Sequence, residues 1–168
     1  MTELLKPRLF NLWITLTCVA AMGVAYYLDG ILGLEPCPLC MTQRAFVVGC
    51  GMFALFAFIH GPGISGRRIY NTIAGLWALG GGAVAARHVW LQHLPEDLVP
   101  ACGPGLEYML ETLPFSQTLE LILMGDGNCA DVVWTFMGLS IPEQTLILFT
   151  VLVIANLWQV VRRDTTGD

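Results

Sequence analysis

Leu9 to Leu28 runs for 20 residues without a charged side chain, long enough to cross the hydrocarbon core of a bilayer as a helix. A chain with such a run must bury it in a large core or place it in lipid. Here there are only 168 residues, 55% of them hydrophobic and 12% charged, which is too oily for a water-soluble domain of this size. Tyr70 to Ala86 is a second uncharged run that continues past Arg87 and His88 to Trp90. Ala45 to Ile59 and Thr145 to Val161 are shorter, and each gains a turn from its flank, Met41 to Arg44 and Ile141 to Gln144. Four spans are therefore predicted, at about 9–28, 43–60, 70–90 and 143–161, in one membrane domain covering 1–168. The first run does not read as a cleavable signal peptide, because no small-residue cleavage site precedes a polar turn at Asp29-Gly30.

Charge placement orients these spans. Of the eight basic residues, Lys6 and Arg8 precede the first span, Arg67 and Arg68 fall between the second and third, and Arg162 and Arg163 follow the fourth. Positive charge stays cytoplasmic, so both termini and the short middle loop are expected inside, with loops 29–42 and 91–142 outside. The net charge of −5 also argues against a nucleic-acid partner. The expected fold is an all-α, four-transmembrane-helix bundle, in which Gly80, Gly81 and Gly82 let the third helix approach a neighbour closely. The second outer loop is too long for a mere connector. Leu106, Met109, Leu110 and Leu113, then Leu119, Ile122 and Leu123 after Pro114, recur at helical spacing. They read as two short amphipathic helices, lying on the membrane surface or packing on the bundle end.

Six cysteines divide between these regions. Cys18 and Cys50 fall inside spans and read as small apolar filler. Cys37, Cys40, Cys102 and Cys129 all fall in the outer loops, where the environment outside a bacterial cytoplasmic membrane oxidises thiols. Two structural disulfides are one reading and a metal site is another. Against a staple stands the C-x-x-C spacing of Cys37-Pro38-Leu39-Cys40, since so small a loop removes little entropy from the unfolded chain. That spacing suits redox chemistry. Cys40 enters the second span near a helix N-terminus with Arg44 one turn on, and both features favour a thiolate. Arg44 breaks the positive-inside pattern, so it is a candidate for binding the oxygen of a lipid-soluble ligand, with simple snorkelling as the plain alternative. Cys102 lies in Pro100-Ala101-Cys102-Gly103-Pro104-Gly105, a stretch with little capacity for regular structure, and Cys129 follows the turn-rich Gly125-Asp126-Gly127-Asn128. A bridge between them would be a better staple than one in the first loop, while their exposure suits thiol exchange. His88 lies near the outer end of the third span, where an interfacial polar tip and a functional group are equally good readings.

Cys37-Pro-Leu-Cys40-Met-Thr-Gln-Arg44, His88-Val-Trp-Leu-Gln92 leading to Cys102, and Gly127-Asn-Cys129-Ala-Asp-Val-Val-Trp134 through Pro142 resemble DsbB-type disulfide-bond oxidases over essentially the whole chain. The resemblance implies a bacterial inner-membrane thiol:quinone oxidoreductase with periplasmic redox loops and disulfides Cys37–Cys40 and Cys102–Cys129. It implies that a periplasmic thioredoxin-like, DsbA-type partner forms a mixed disulfide with Cys102. Electrons then reach Cys37 and Cys40, with Cys40 facing a ubiquinone or menaquinone, Arg44 contacting that quinone and His88 near it. Four-helix quinone reductases resembling vitamin K epoxide reductases use similar parts, but their C-x-x-C usually comes late in the chain. A membrane scaffold stapled by disulfides is the alternative from another class.

Overall fold

A computed structural model of the chain describes residues 7–33, 36–95, 98–99, 114, 116–117, 122, 124–125 and 127–162. Cys102 and nearly all of the anticipated amphipathic helices lie outside the described residues. Four long helices dominate: α1 (Pro7–Leu32), α2 (Pro38–His60), α3 (Ile64–Gln92) and α5 (Ile141–Val161). All four are long and apolar enough to cross a membrane, the shortest, at 21 residues, spanning about 32 Å at 1.5 Å per residue. Between α3 and α5 come the single turn α4 (Gly127–Ala130) and a two-stranded antiparallel hairpin, β1 (Thr135–Phe136) and β2 (Leu139–Ser140).

Local chemistry sets the helix ends. Proline fits the start of a helix because the first amides have no intrahelical partner, and α2 opens at Pro38 behind Cys37 in an extended conformation (φ −67°, ψ 163°). It closes on Gly61 in the left-handed region at φ 53°, where glycine carries no Cβ penalty. Gly61-Pro62-Gly63 is then the whole connection to α3. Arg67, anticipated in that loop, instead lies in the first turns of α3, where it is buried with Nη2 3.4 Å from the Arg162 carbonyl oxygen. α5 opens with Pro142 in its first turn, and the Glu143 carboxylate accepts the Ser140 N–H at 2.6 Å. Asp29-Gly30, expected as a turn, is helical: α1 continues past the apolar run to Leu32.

The helices run up and down, and each packs on its neighbours in chain order. α3 lies between α2 and α5, while α1 leans on α2 and scarcely meets α5. The core is built from small residues and a few large ones, including Cys18, Cys50, Ala74, Ala78, Ala85, Phe149 and Leu152, so the two span cysteines take the packing role expected of them. The lipid-suited exterior shows Trp13, Val19, Tyr26, Leu79 and Ile154. Gly81 faces the buried Phe149, and a methyl group there would run into the ring. We expect Gly81→Ala to cost about 1–3 kcal/mol through overpacking, read as a lower unfolding temperature in detergent. Adding Phe149→Leu should recover part of the loss. An unchanged transition would mean that α3 and α5 do not depend on this close approach.

Candidate active site

One end of the bundle gathers the start of α2, the start of α5, the last turns of α1 and α3, and α4. Cys37 is the N-cap of α2, and its sulfur accepts the Cys40 N–H at 3.4 Å. The Cys37 carbonyl takes the Met41 N–H at 3.1 Å. Cys40 is thus in the first turn of the helix, where partial positive charge from unpaired amides collects. Cys37 and Cys40 are not bridged in this structure.

One turn along, α2 sends two side chains in different directions. Arg44 reaches α1, where its guanidinium donates both terminal nitrogens to Asp29, Nη2 to Oδ1 at 2.8 Å. It also stands 5.9 Å from the centre of the Tyr26 ring. Gln43 is 3% exposed and reaches α3, its Nε2 3.1 Å from His88 Nδ1. The Thr145 hydroxyl on α5 lies 2.6 Å from Gln43 Oε1. The other nitrogen of His88, Nε2, is 3.0 Å from the Cys129 carbonyl oxygen and 3.8 Å from Cys37 Sγ. His88 is therefore no interfacial tip. It is buried and joins the two cysteine-bearing segments.

Cys129 reaches this place because α4 packs into a small cluster with Leu39, Val84 and Leu91. Arg87 helps to hold the incoming chain through the Met124 carbonyl at 3.2 Å, with its guanidinium 4.2 Å from the Trp90 ring centre. Gly125 turns beside Leu91 at φ +75°, a conformation that glycine supplies without strain. As a result Cys37 Sγ, a His88 ring nitrogen and Cys129 Sγ all lie within 4.8 Å of one another. That set resembles part of a metal site, but the nitrogen that meets the Cys129 carbonyl must carry a hydrogen. A protonated imidazole nitrogen has no lone pair for a metal. The geometry is that of a hydrogen-bonded sulfur cluster.

Where α1 and α5 part, a cavity of about 550 Å³ opens against this cluster. Its walls include Met22, Val47 and Leu148, and its polar lining includes Cys40, Arg44 and His88. The structure thus brings together Cys37, Cys40, Arg44, His88 and Cys129, and leaves only Cys102 outside the described residues.

Asp29, Gln43 and Thr145 were not singled out in the sequence reading. Asp29 carried a readable signal: it is an acid at the end of a charge-free run, facing a lone base, Arg44, at the start of the next span. Gln43 was readable as a polar side chain one turn after Cys40, between Thr42 and Arg44 at the start of the second span. Thr145 carried none, since hydroxyls in spans commonly bond their own helix.

Sulfur placed to meet sulfur at the end of a membrane helix bundle is the arrangement of a disulfide oxidoreductase. Residues 7–159 match the family model described as Disulfide bond formation protein DsbB. Disulfide bond formation protein B of Saccharophagus degradans is 48% identical over 163 residues, covering 97% of this chain and 98% of its own. Disulfide bond formation protein B 1 of Pseudomonas aeruginosa is 49% identical over 160 residues, 95% of this chain and 98% of its own. The Hahella chejuensis relative of the same description is 52% identical over 134 residues, covering 80% and 81%. The chain belongs to the DsbB family, multi-pass membrane proteins of disulfide bond formation.

Proposed function

We propose that this protein reoxidises a periplasmic DsbA-like dithiol protein and passes the electrons to a membrane quinone, with the Cys37 end of the bundle facing the periplasm of a bacterial inner membrane. The observation that carries the reading is the meeting of Cys37 Sγ and Cys129 Sγ within 4.8 Å, at a cavity that Cys40 lines from the helix start. Two disulfides, Cys37–Cys40 and Cys102–Cys129, exchange in sequence. A partner thiolate attacks Cys102, the Cys102–Cys129 bond breaks, and Cys129 leaves with the electron pair beside Cys37. Cys129 then attacks Cys37, the Cys37–Cys40 bond breaks, and Cys40 leaves as a thiolate at the α2 N-terminus. The partner's second thiol closes its own disulfide and frees Cys102. Cys102 attacks Cys129, which restores the second pair and releases Cys37 as a thiolate. The net result is one partner disulfide formed and one dithiol, Cys37 and Cys40, left at the cavity.

The cavity fits a quinone. About 550 Å³ is within the range of small-molecule sites, its Met22, Val47 and Leu148 walls suit a ring and tail, and Arg44 offers a donor to a ring oxygen. A bound ubiquinone or menaquinone supplies a two-electron, two-proton acceptor. The chain's own part is to hold Cys40 as a thiolate against the cavity and to keep Cys37 in reach of it. The orientation is supported by the basic residues at the opposite end, Arg8, Arg67 and Arg162 among them.

The test is anaerobic mixing of the purified protein with a reduced thioredoxin-like partner and a short-chain ubiquinone, following quinone absorbance. Loss of the oxidised band at catalytic protein concentration is expected. No loss, with partner thiols unchanged, would overturn the reading and favour a stapled scaffold.

A further inference from the structure

The hydrogen bonds around His88 assign its tautomer. The Cys129 carbonyl can only accept, so its 3.0 Å contact requires a hydrogen on His88 Nε2. In the neutral ring Nδ1 is then a bare acceptor, and its neighbour at 3.1 Å is the Gln43 amide nitrogen, a donor. The amide turned this way leaves Oε1 facing the Thr145 hydroxyl at 2.6 Å, which donates to it in preference to the Pro142 carbonyl at 3.0 Å. The reversed amide would need a positively charged ring, in a place where Gln43 and His88 are each only 3% exposed. One consistent chain crosses three helices: Thr145 O–H to Gln43, Gln43 N–H to His88 Nδ1, and His88 Nε2–H to the Cys129 carbonyl with Cys37 Sγ 3.8 Å away.

We propose that Gln43 and Thr145 are positioning residues that lock His88 as the Nε2–H tautomer, so that this one hydrogen holds Cys129 over Cys37 and faces the Cys37 sulfur. His88 is thereby a donor to Cys37, and cannot take a proton from it at that nitrogen. The kinetic consequence rests on the exchange proposed above; the tautomer does not. When Cys102 attacks Cys129, the Cys129–Cys37 bond breaks and Cys37 takes the electron pair. At that moment its sulfur gains charge facing two N–H groups, His88 Nε2–H and the Cys40 amide at 3.4 Å. No proton transfer is needed in the step. Cys40 and Arg44 lie outside this chain of bonds, whereas Gln43, His88 and Thr145 also line the cavity, so the lock is read at the sulfur-exchange step and in the imidazole itself.

The experiment uses the full chain in detergent, labelled with ¹⁵N in its three histidine rings, with the His88 signals identified by their loss in His88→Asn. In the unsubstituted protein we expect a protonated Nε2 and an unprotonated Nδ1. Gln43→Leu should give a mixed tautomer and slow the release of Cys37 by about fivefold, the worth of one hydrogen bond. Thr145→Val, near-isosteric, should move both readouts in the same direction by less, and it carries the test should Gln43→Leu fail to fold. A proton on Nδ1 in the unsubstituted protein overturns the proposal, as does the same tautomer and the same release rate in Thr145→Val. Failure of the redox reading shows differently: quinone is not reduced by the unsubstituted protein, while the nitrogen spectrum still reports the lock.

Discussion

Cys40→Ser is expected to abolish quinone reduction by a reduced thioredoxin-like partner, to the level of a reaction without protein. In exchange chemistry the departing group must be a stabilised thiolate, and a serine hydroxyl at the same place can neither form the Cys37 disulfide nor carry electrons to the cavity. Cys40 also has no substitute. It is the sulfur that lines the cavity at the start of α2 together with Cys37, whereas Cys18 and Cys50 are closed into the core between spans. Cys37→Ser should be equally inactive, and the two variants separate by what they trap. With Cys40→Ser, Cys37 remains within 4.8 Å of Cys129, so non-reducing mass spectrometry should find a Cys37–Cys129 cross-link after mild oxidation. With Cys37→Ser that species cannot form. Turnover by purified Cys40→Ser, or the same cross-link pattern in both variants, would sink the proposed route.

What could be read in advance was the part of the molecule governed by one-dimensional pattern. Uncharged runs of span length have few solutions in lipid, where backbone groups must be paired internally, so the four helices were legible from Leu9, Ala45, Tyr70 and Thr145 onward. Their ends were less so. α1 runs through Asp29-Gly30 to Leu32 because Arg44 neutralises Asp29 from the next helix, and a partner on another helix leaves no trace in local sequence. Arg67 was placed in a loop because it precedes the uncharged run that begins at Tyr70, yet it is buried in α3 with the end of α5 near its head group. Cys37 and Cys40 were legible as a pair by their spacing. Which sulfurs meet was not, since the packing of Cys129 with Leu39 and Leu91 is a property of the assembled bundle. His88 shows the limit most clearly: a histidine at a span end has the same signature whether it wets its tip or bridges two redox segments.

Arg44→Ala should raise the apparent quinone KM by about tenfold or more and leave transfer from the partner to Cys37 intact. A charge-assisted hydrogen bond contributes about 1.5–3 kcal/mol, and each 1.4 kcal/mol is about tenfold in affinity. A guanidinium has five N–H donors. Two serve Asp29 in a fork, which fixes the plane of the group over Tyr26 and leaves donors able to face the cavity that Arg44 and Cys40 both line. The variant also leaves the Asp29 carboxylate at the cavity without its cation, an added cost for any apolar ligand entering there. Arg44→Lys should rescue little, because a point charge cannot hold the carboxylate bidentately and still present a second donor edge. Asp29→Asn keeps a hydrogen-bonding partner for Arg44 without the charge, so its KM should fall between the two. Steady-state kinetics with a short-chain quinone, alongside stopped-flow transfer from the partner, separates the terms. A normal KM in Arg44→Ala removes this residue from the quinone site. A fall in partner transfer at unchanged KM would instead place Arg44 with the sulfur cluster, holding the start of α2 in register with α1 through Asp29.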